Sequence, residues 1–148
     1  MLNKMMNAKN GFFALLALAG SAVAQCLGGW DAPLRALLCA MAADYVTGLI
    51  VAGVFKRSGK SHDGSLSSHA GFQGLCKKGA QLLLVFLAVR LDGVMGGGFS
   101  RTAVILFFTA NETLSVLENV GLMGVPYPAF LRDALEVLRE QGDSGNQA

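Results

Sequence analysis

Residues 107–119 read FFTANETLSVLEN, five polar side chains set in a stretch otherwise apolar enough to cross a bilayer. Asn111, Glu112, Ser115, Glu118 and Asn119 follow one another at offsets of one, four, seven and eight from the first. At about 100° per residue they share one helical face about 120° wide. A carboxylate near the centre of a membrane helix costs on the order of 3 kcal/mol on insertion scales. Such a face must look at protein, or at water enclosed by protein, and a lone helix in lipid offers neither.

The rest of the chain supplies the helices this demand requires. Of 148 residues, 53% are hydrophobic and only 15% are charged, against about 25% charged in an ordinary soluble domain. Four apolar segments, at about 11–30, 34–55, 75–95 and 99–123, each approach the ~20 residues that span a hydrocarbon core. The expected fold is therefore all-α, a polytopic membrane protein of four transmembrane helices. The third segment is interrupted by Lys77 and Lys78 at its start and by Arg90 and Asp92 at its end. Long cationic stems reach outward from such ends, so a tilted or thin span is expected there.

Basic residues give the orientation. Lys4 and Lys9 precede the first segment, Lys56, Arg57, Lys60, Lys77 and Lys78 lie between the second and third, and Arg132 and Arg139 follow the fourth. Arg35, Arg90 and Arg101 fall on the opposite side. The positive-inside bias then predicts a multi-pass protein with both termini in the cytoplasm, and an even number of spans agrees with it. A competing reading of the first segment is a signal peptide with the small-x-small site Ala22-Val23-Ala24. Cleavage there would leave three spans with unchanged orientation. Met5 and Met6 are further possible starts.

Small residues recur every fourth position, as Gly20, Ala24 and Gly28 in the first segment and Ala36, Ala40, Asp44, Gly48 and Ala52 in the second. Such rows let helix backbones approach closely in lipid, and both are expected to be packing seams. The loop 58–71 is a flexible connector by composition. Pro126 and Pro128 end the fourth helix, and Pro128 is suited to open another. Phe130, Leu131, Ala134, Leu135 and Leu138 then share one face, which predicts a short cytoplasmic amphipathic helix within 126–148, followed by a disordered tail.

Asp44 and Glu112 lie near the middle of their segments. Three roles compete for them: a proton relay, a buried ion pair, and polar glue or lining within an oligomer. No titratable chain crosses the membrane and no intramembrane His accompanies them, which favours the last. No nucleophile and base, phosphate loop or nucleic-acid site is visible, and no enzyme activity or cofactor is expected. His62 and His69 have no ligand-spaced partner, so no metal is expected either. Cys26, Cys39 and Cys76 show no paired spacing and are expected to pack as small apolar side chains.

Several short motifs run in a distinctive order. Asp44-Tyr45-x-Thr47-Gly48 is followed by Ser67-Ser68, Gly71 and Gly74, then Lys77-Lys78 and Leu91-Asp92. Asn111-Glu112-x-x-Ser115-x-x-Glu118-Asn119 and Gly124-x-Pro126-x-Pro128 complete the series. Over roughly 38–138 this resembles the toxin-secretion and phage-lysis holin family. The resemblance implies a holin domain over about 1–125. Its protein would gather in the bacterial cytoplasmic membrane as a homo-oligomer and open a lesion through which a cell-wall endolysin passes. A small ion channel or transporter built on Asp44 and Glu112 is the alternative.

Overall fold

The computed structural model describes residues 2–58, 67–131, 133, 134 and 137, and every regular element among them is helical. Helix α1 spans Leu2–Cys26, α2 spans Ala32–Ile50 and runs on as a π-helical turn, Val51–Phe55, α3 spans Ser68–Met95, and α4 spans Phe99–Leu122. Among the described residues one helix, Ala32–Phe55, is long and apolar enough to cross a membrane by itself. The other three carry polar interruptions: Lys9 and Asn10 in α1, Lys77, Lys78, Arg90 and Asp92 in α3, and Arg101, Glu112 and Glu118 in α4.

Glycine stops fix three of the helix ends. At the end of α1, Gly29 N–H donates to Ala24 C=O at 2.8 Å and Gly28 N–H to Gln25 C=O at 3.1 Å, with Gly28 left-handed at φ +90°. This is a Schellman cap. It ends the helix at Cys26, short of the limit near residue 30 drawn from apolarity, because hydropathy does not register the backbone reversal. Gly96 (φ +75°) after α3 and Gly124 (φ +83°) after α4 repeat the device.

Polar side chains fix the starts. Asp31 Oδ1 accepts the Leu34 N–H at 3.1 Å, which caps α2. Ser67 Oγ accepts the Ala70 N–H at 3.4 Å and so opens α3 at Ser68, about two turns before the expected start near residue 75. The connector expected over 58–71 is shortened accordingly. Residues 129–131, 133, 134 and 137 are helical, in line with the short helix expected after Pro128, and Leu131 N–H donates to Pro128 C=O at 3.0 Å. Lys60, His62, Arg132, Leu135, Leu138, Arg139 and the tail lie outside the described residues.

Two compact units make up the chain. One comprises Met1–Cys39 with Leu75–Thr109, and the other Ala40–Gly74 with Ala110–Ala148. The first has an apolar core in which Leu34, Leu37, Val85 and Ile105 are fully enclosed. In the second, Met41, Val51 and Ala52 share the interior with Asp44, Glu112 and Asn119. On α2 the inward line is Leu34, Leu37, Met41, Asp44, Gly48 and Val51, alternating steps of three and four. An every-fourth-residue row drifts about 40° per step. The Ala36-to-Ala52 row therefore starts exposed at Ala36, is half-buried at Ala40 and Gly48, and is buried at Asp44 and Ala52. In α1, Gly20 is exposed and Ala24 is buried.

Much of the exposed surface is apolar. Phe12, Phe13, Leu15 and Leu18 on α1, Leu83, Leu84 and Leu87 on α3, and Leu106 and Phe107 on α4 are all exposed. Cys26, Cys39 and Cys76 are exposed as well, contrary to the packed setting expected for them. Each lies off its helix's inward line.

Gly28 and Gly124 invite a direct comparison. Alanine at Gly124 strains a left-handed backbone but meets nothing within 4 Å, which should cost about 1–2 kcal/mol. At Gly28 the added Cβ would also overlap the Arg101 guanidinium. Thermal unfolding in detergent, followed by circular dichroism, should show Gly28→Ala as the more destabilised of the two.

Candidate functional site

The polar face read from 107–119 is divided in the fold. Placed by angle around α4, its members run Glu118, Asn111, Ser115, Asn119, Glu112. Burial follows that order: Glu118 and Asn111 are exposed, Ser115 is half-buried, and Asn119 and Glu112 are buried. One edge of the face is thus turned into the protein and the other outward.

The buried edge meets α2 within the second unit. Asn119 Nδ2 donates to Thr47 Oγ1 at 3.0 Å, and lies 3.3 Å from Asp44 Oδ1 and 3.4 Å from Asp44 C=O. Thr47 Oγ1 in turn reaches the Ala43 carbonyl at 2.8 Å. Gly48 leaves room for the carboxamide, since a Cβ there would lie 3.7 Å from Asn119 Nδ2. Asp44 and Asn119, read separately from the sequence, are therefore one cluster, and Thr47 belongs to it. The inward line of α3 also carries polar groups, with Asp92 buried and Lys78 and Gln81 half-buried.

A second cluster, in the first unit, was not anticipated. Arg101 Nη1 and Nη2 grip the Asp31 carboxylate at 2.7 and 3.0 Å, and Nε donates to Leu27 C=O at 2.6 Å. That guanidinium joins the start of α4 to the reversal after α1. Asp92 completes the arrangement. Its Oδ1 and Oδ2 accept the Ser100 and Arg101 N–H groups at 2.9 and 2.8 Å, capping α4 from the end of α3. Arg101 entered the sequence argument only as one of three charges opposite the basic side. The usable signal was an Asp at each neighbouring helix boundary, Asp31 before α2 and Asp92 before the Gly96 turn.

Asp31 lies in the turn between α1 and α2. The hydrogen-bonded Arg101 guanidinium brings its carboxyl from 3.8 down to about 2, against the opposing effect of desolvation. A depressed value stabilises the fold fully above the ordinary carboxylate range, and the contribution is lost as pH falls through about 2. The difference in melting temperature between the native chain and Asp31→Asn should therefore hold constant from neutral pH to about 4. It should shrink towards zero near pH 2.

The basic residues take varied settings. Lys56, Arg57 and Lys77 are exposed. Arg57 Nη1 lies 3.4 Å from the Leu122 carbonyl, a cation at the C-terminal end of α4. Arg90 is exposed and stacks over the Phe86 ring on its own helix at 4.9 Å.

With large apolar side chains exposed along α1, α3 and α4, carboxylates enclosed inside, and helices as the regular elements among the described residues, the chain has the build of a small membrane protein. Residues 21–140 match the bacteriophage holin family. A probable holin of Bacillus phage phi105 is 35% identical over 101 residues, 68% of this chain and 69% of that one. An uncharacterized protein of Clostridium perfringens is 38% identical over 118 residues, 78% of this chain and 82% of its own. An uncharacterized protein of Listeria innocua is 37% identical over 117 residues, 78% of each. No solved structure matches. The chain belongs to the bacteriophage holin family.

Proposed function

We propose that this chain is a working holin that gathers as a homo-oligomer in the bacterial cytoplasmic membrane and opens a lesion for a cell-wall endolysin. The observation that carries the reading is the exposed edge of α4. Asn111 and Glu118 lie on an outward face of a helix whose neighbouring exposed residues, Leu106 and Phe107, suit lipid. Polar groups on such a face are stabilised by meeting another polar surface. A second copy of the chain offers the same edge, and several copies arranged around a common centre line a water-filled opening. α1 to α4 serve as four spans, with nine of the 12 basic residues on the cytoplasmic side and both termini there.

The test is co-expression with an endolysin and a folded cytoplasmic reporter protein. A holin lesion releases the reporter and brings lysis at a defined time. Leakage of ions and small solutes alone, with the reporter retained, would instead indicate a selective channel and refute the proposal.

A further inference from the structure

The chain turns back on itself after α4. Gly124 N–H donates to Gly121 C=O at 2.9 Å and Val125 N–H to Val120 C=O at 3.3 Å, which reverses the backbone. Tyr127 then lies against the last turn of α4. A Cβ on Gly121 would stand 3.1 Å from its Cε1 and 3.3 Å from its hydroxyl oxygen, so the ring takes the room that a missing side chain leaves. Arg57 reaches the same level, with Nη1 3.4 Å from Leu122 C=O. The helical residues from Ala129 onward therefore start beside the end of α4 and not at the far end of a tether.

On that short helix Phe130, Ala134 and Val137 fall within about 60° of one another, and all three are exposed. Asp133, also exposed, borders the strip on one side, and Leu131 is half-buried on the other. Three side chains do not by themselves supply the roughly 1,000 Å² that a stable protein interface buries. The boundary between headgroups and acyl chains accepts a narrow strip, and it is the level at which tyrosine gathers. Lys56 and Arg57, exposed in the same unit, complement anionic headgroups there.

We infer that the helix from Ala129 is a lipid-surface anchor. Phe130, Ala134 and Val137 enter the headgroup–acyl boundary of an anionic membrane, Lys56 and Arg57 meet its phosphates, and Tyr127 on Gly121 sets the depth. The inference rests on the reading of α4 as a span, and not on lesion formation.

The test uses the full chain reconstituted in vesicles of phosphatidylglycerol and phosphatidylethanolamine, with Trp30→Phe so that one introduced tryptophan reports. Phe130→Trp should emit at short wavelength and be quenched several-fold more by lipids brominated on the acyl chain than by aqueous acrylamide. That preference should weaken in phosphatidylcholine alone, and in Lys56→Gln with Arg57→Gln. Gly121→Leu, which expels the ring, should at least halve the bromolipid quenching. Tyr127→Ala should do the same while leaving α4 itself unaltered.

Long-wavelength emission with free access of acrylamide overturns the inference. So does quenching indifferent to both Gly121→Leu and Tyr127→Ala. Shielding from both quenchers that grows with the ratio of protein to lipid assigns the strip to a second copy, and also overturns it. Phe107→Trp, on an exposed face of α4, separates the two readings. Lipid at that position with water at Phe130→Trp leaves the span standing and removes the anchor. Water there with lipid at Phe130→Trp does the reverse.

Discussion

Leucine at both Asn111 and Glu118 should leave the chain folded and at normal levels in the membrane, yet abolish release of a co-expressed endolysin. Both positions are exposed, so neither change opens a cavity. Removing Glu118 also takes a charge out of a helix that has to enter the bilayer, which does not hinder insertion. In the proposed assembly, what disappears is the polar surface that meets another copy, where interhelical contacts are worth about 1–2 kcal/mol each in model peptides. Repeated around a ring, that loss is large enough to decide between monomer and oligomer. Chemical cross-linking should therefore show monomers, and culture density should not fall at the usual time. Wild-type timing in this double variant would exclude the edge as the assembly surface. Glu112→Leu provides the contrast, because Glu112 is buried within the monomer. Its substitution should change thermal stability while leaving cross-linking through the Asn111 edge in place.

The sequence alone treats those five residues as one face, and that is as far as periodicity reaches. It tells which side chains share a direction, not where a neighbouring helix ends. The division between Ser115 and Asn119 depends on how α2 lies against α4, through Asn119 and Thr47, 72 residues apart in the chain. The helices themselves were legible as apolar segments. Their ends were less so, because they are set by Gly28, by Ser67 and by the Asp31 cap rather than by hydropathy. The small-residue row on α2 faces inward along only part of its length, for a geometric reason. A step of four crosses the inward line near Asp44 and Gly48 and leaves it by Ala36. Arg101 stayed hidden because charge counting assigns it to a side of the membrane, while its partner Asp31 is 70 residues away.

Asp92→Leu should be the most damaging single change to the fold. The Asp92 carboxylate is buried and accepts two backbone N–H groups at the first turn of α4, Ser100 and Arg101. Without it both donors lose their partner, each at about 1–3 kcal/mol, and the positive end of the helix dipole loses its counter-charge. The same turn carries the Arg101 side chain to Asp31 and Leu27, so the damage extends to the junction with α1. A loss of roughly 2–5 kcal/mol is a large part of what holds a small domain together. The variant should therefore melt well below the native chain in detergent and reach the membrane at reduced levels. Asp92→Asn keeps one acceptor oxygen and should recover part of the loss. If Asp92→Leu melts with the native chain, the carboxylate is not what fixes the start of α4, and the position of Arg101 needs another support.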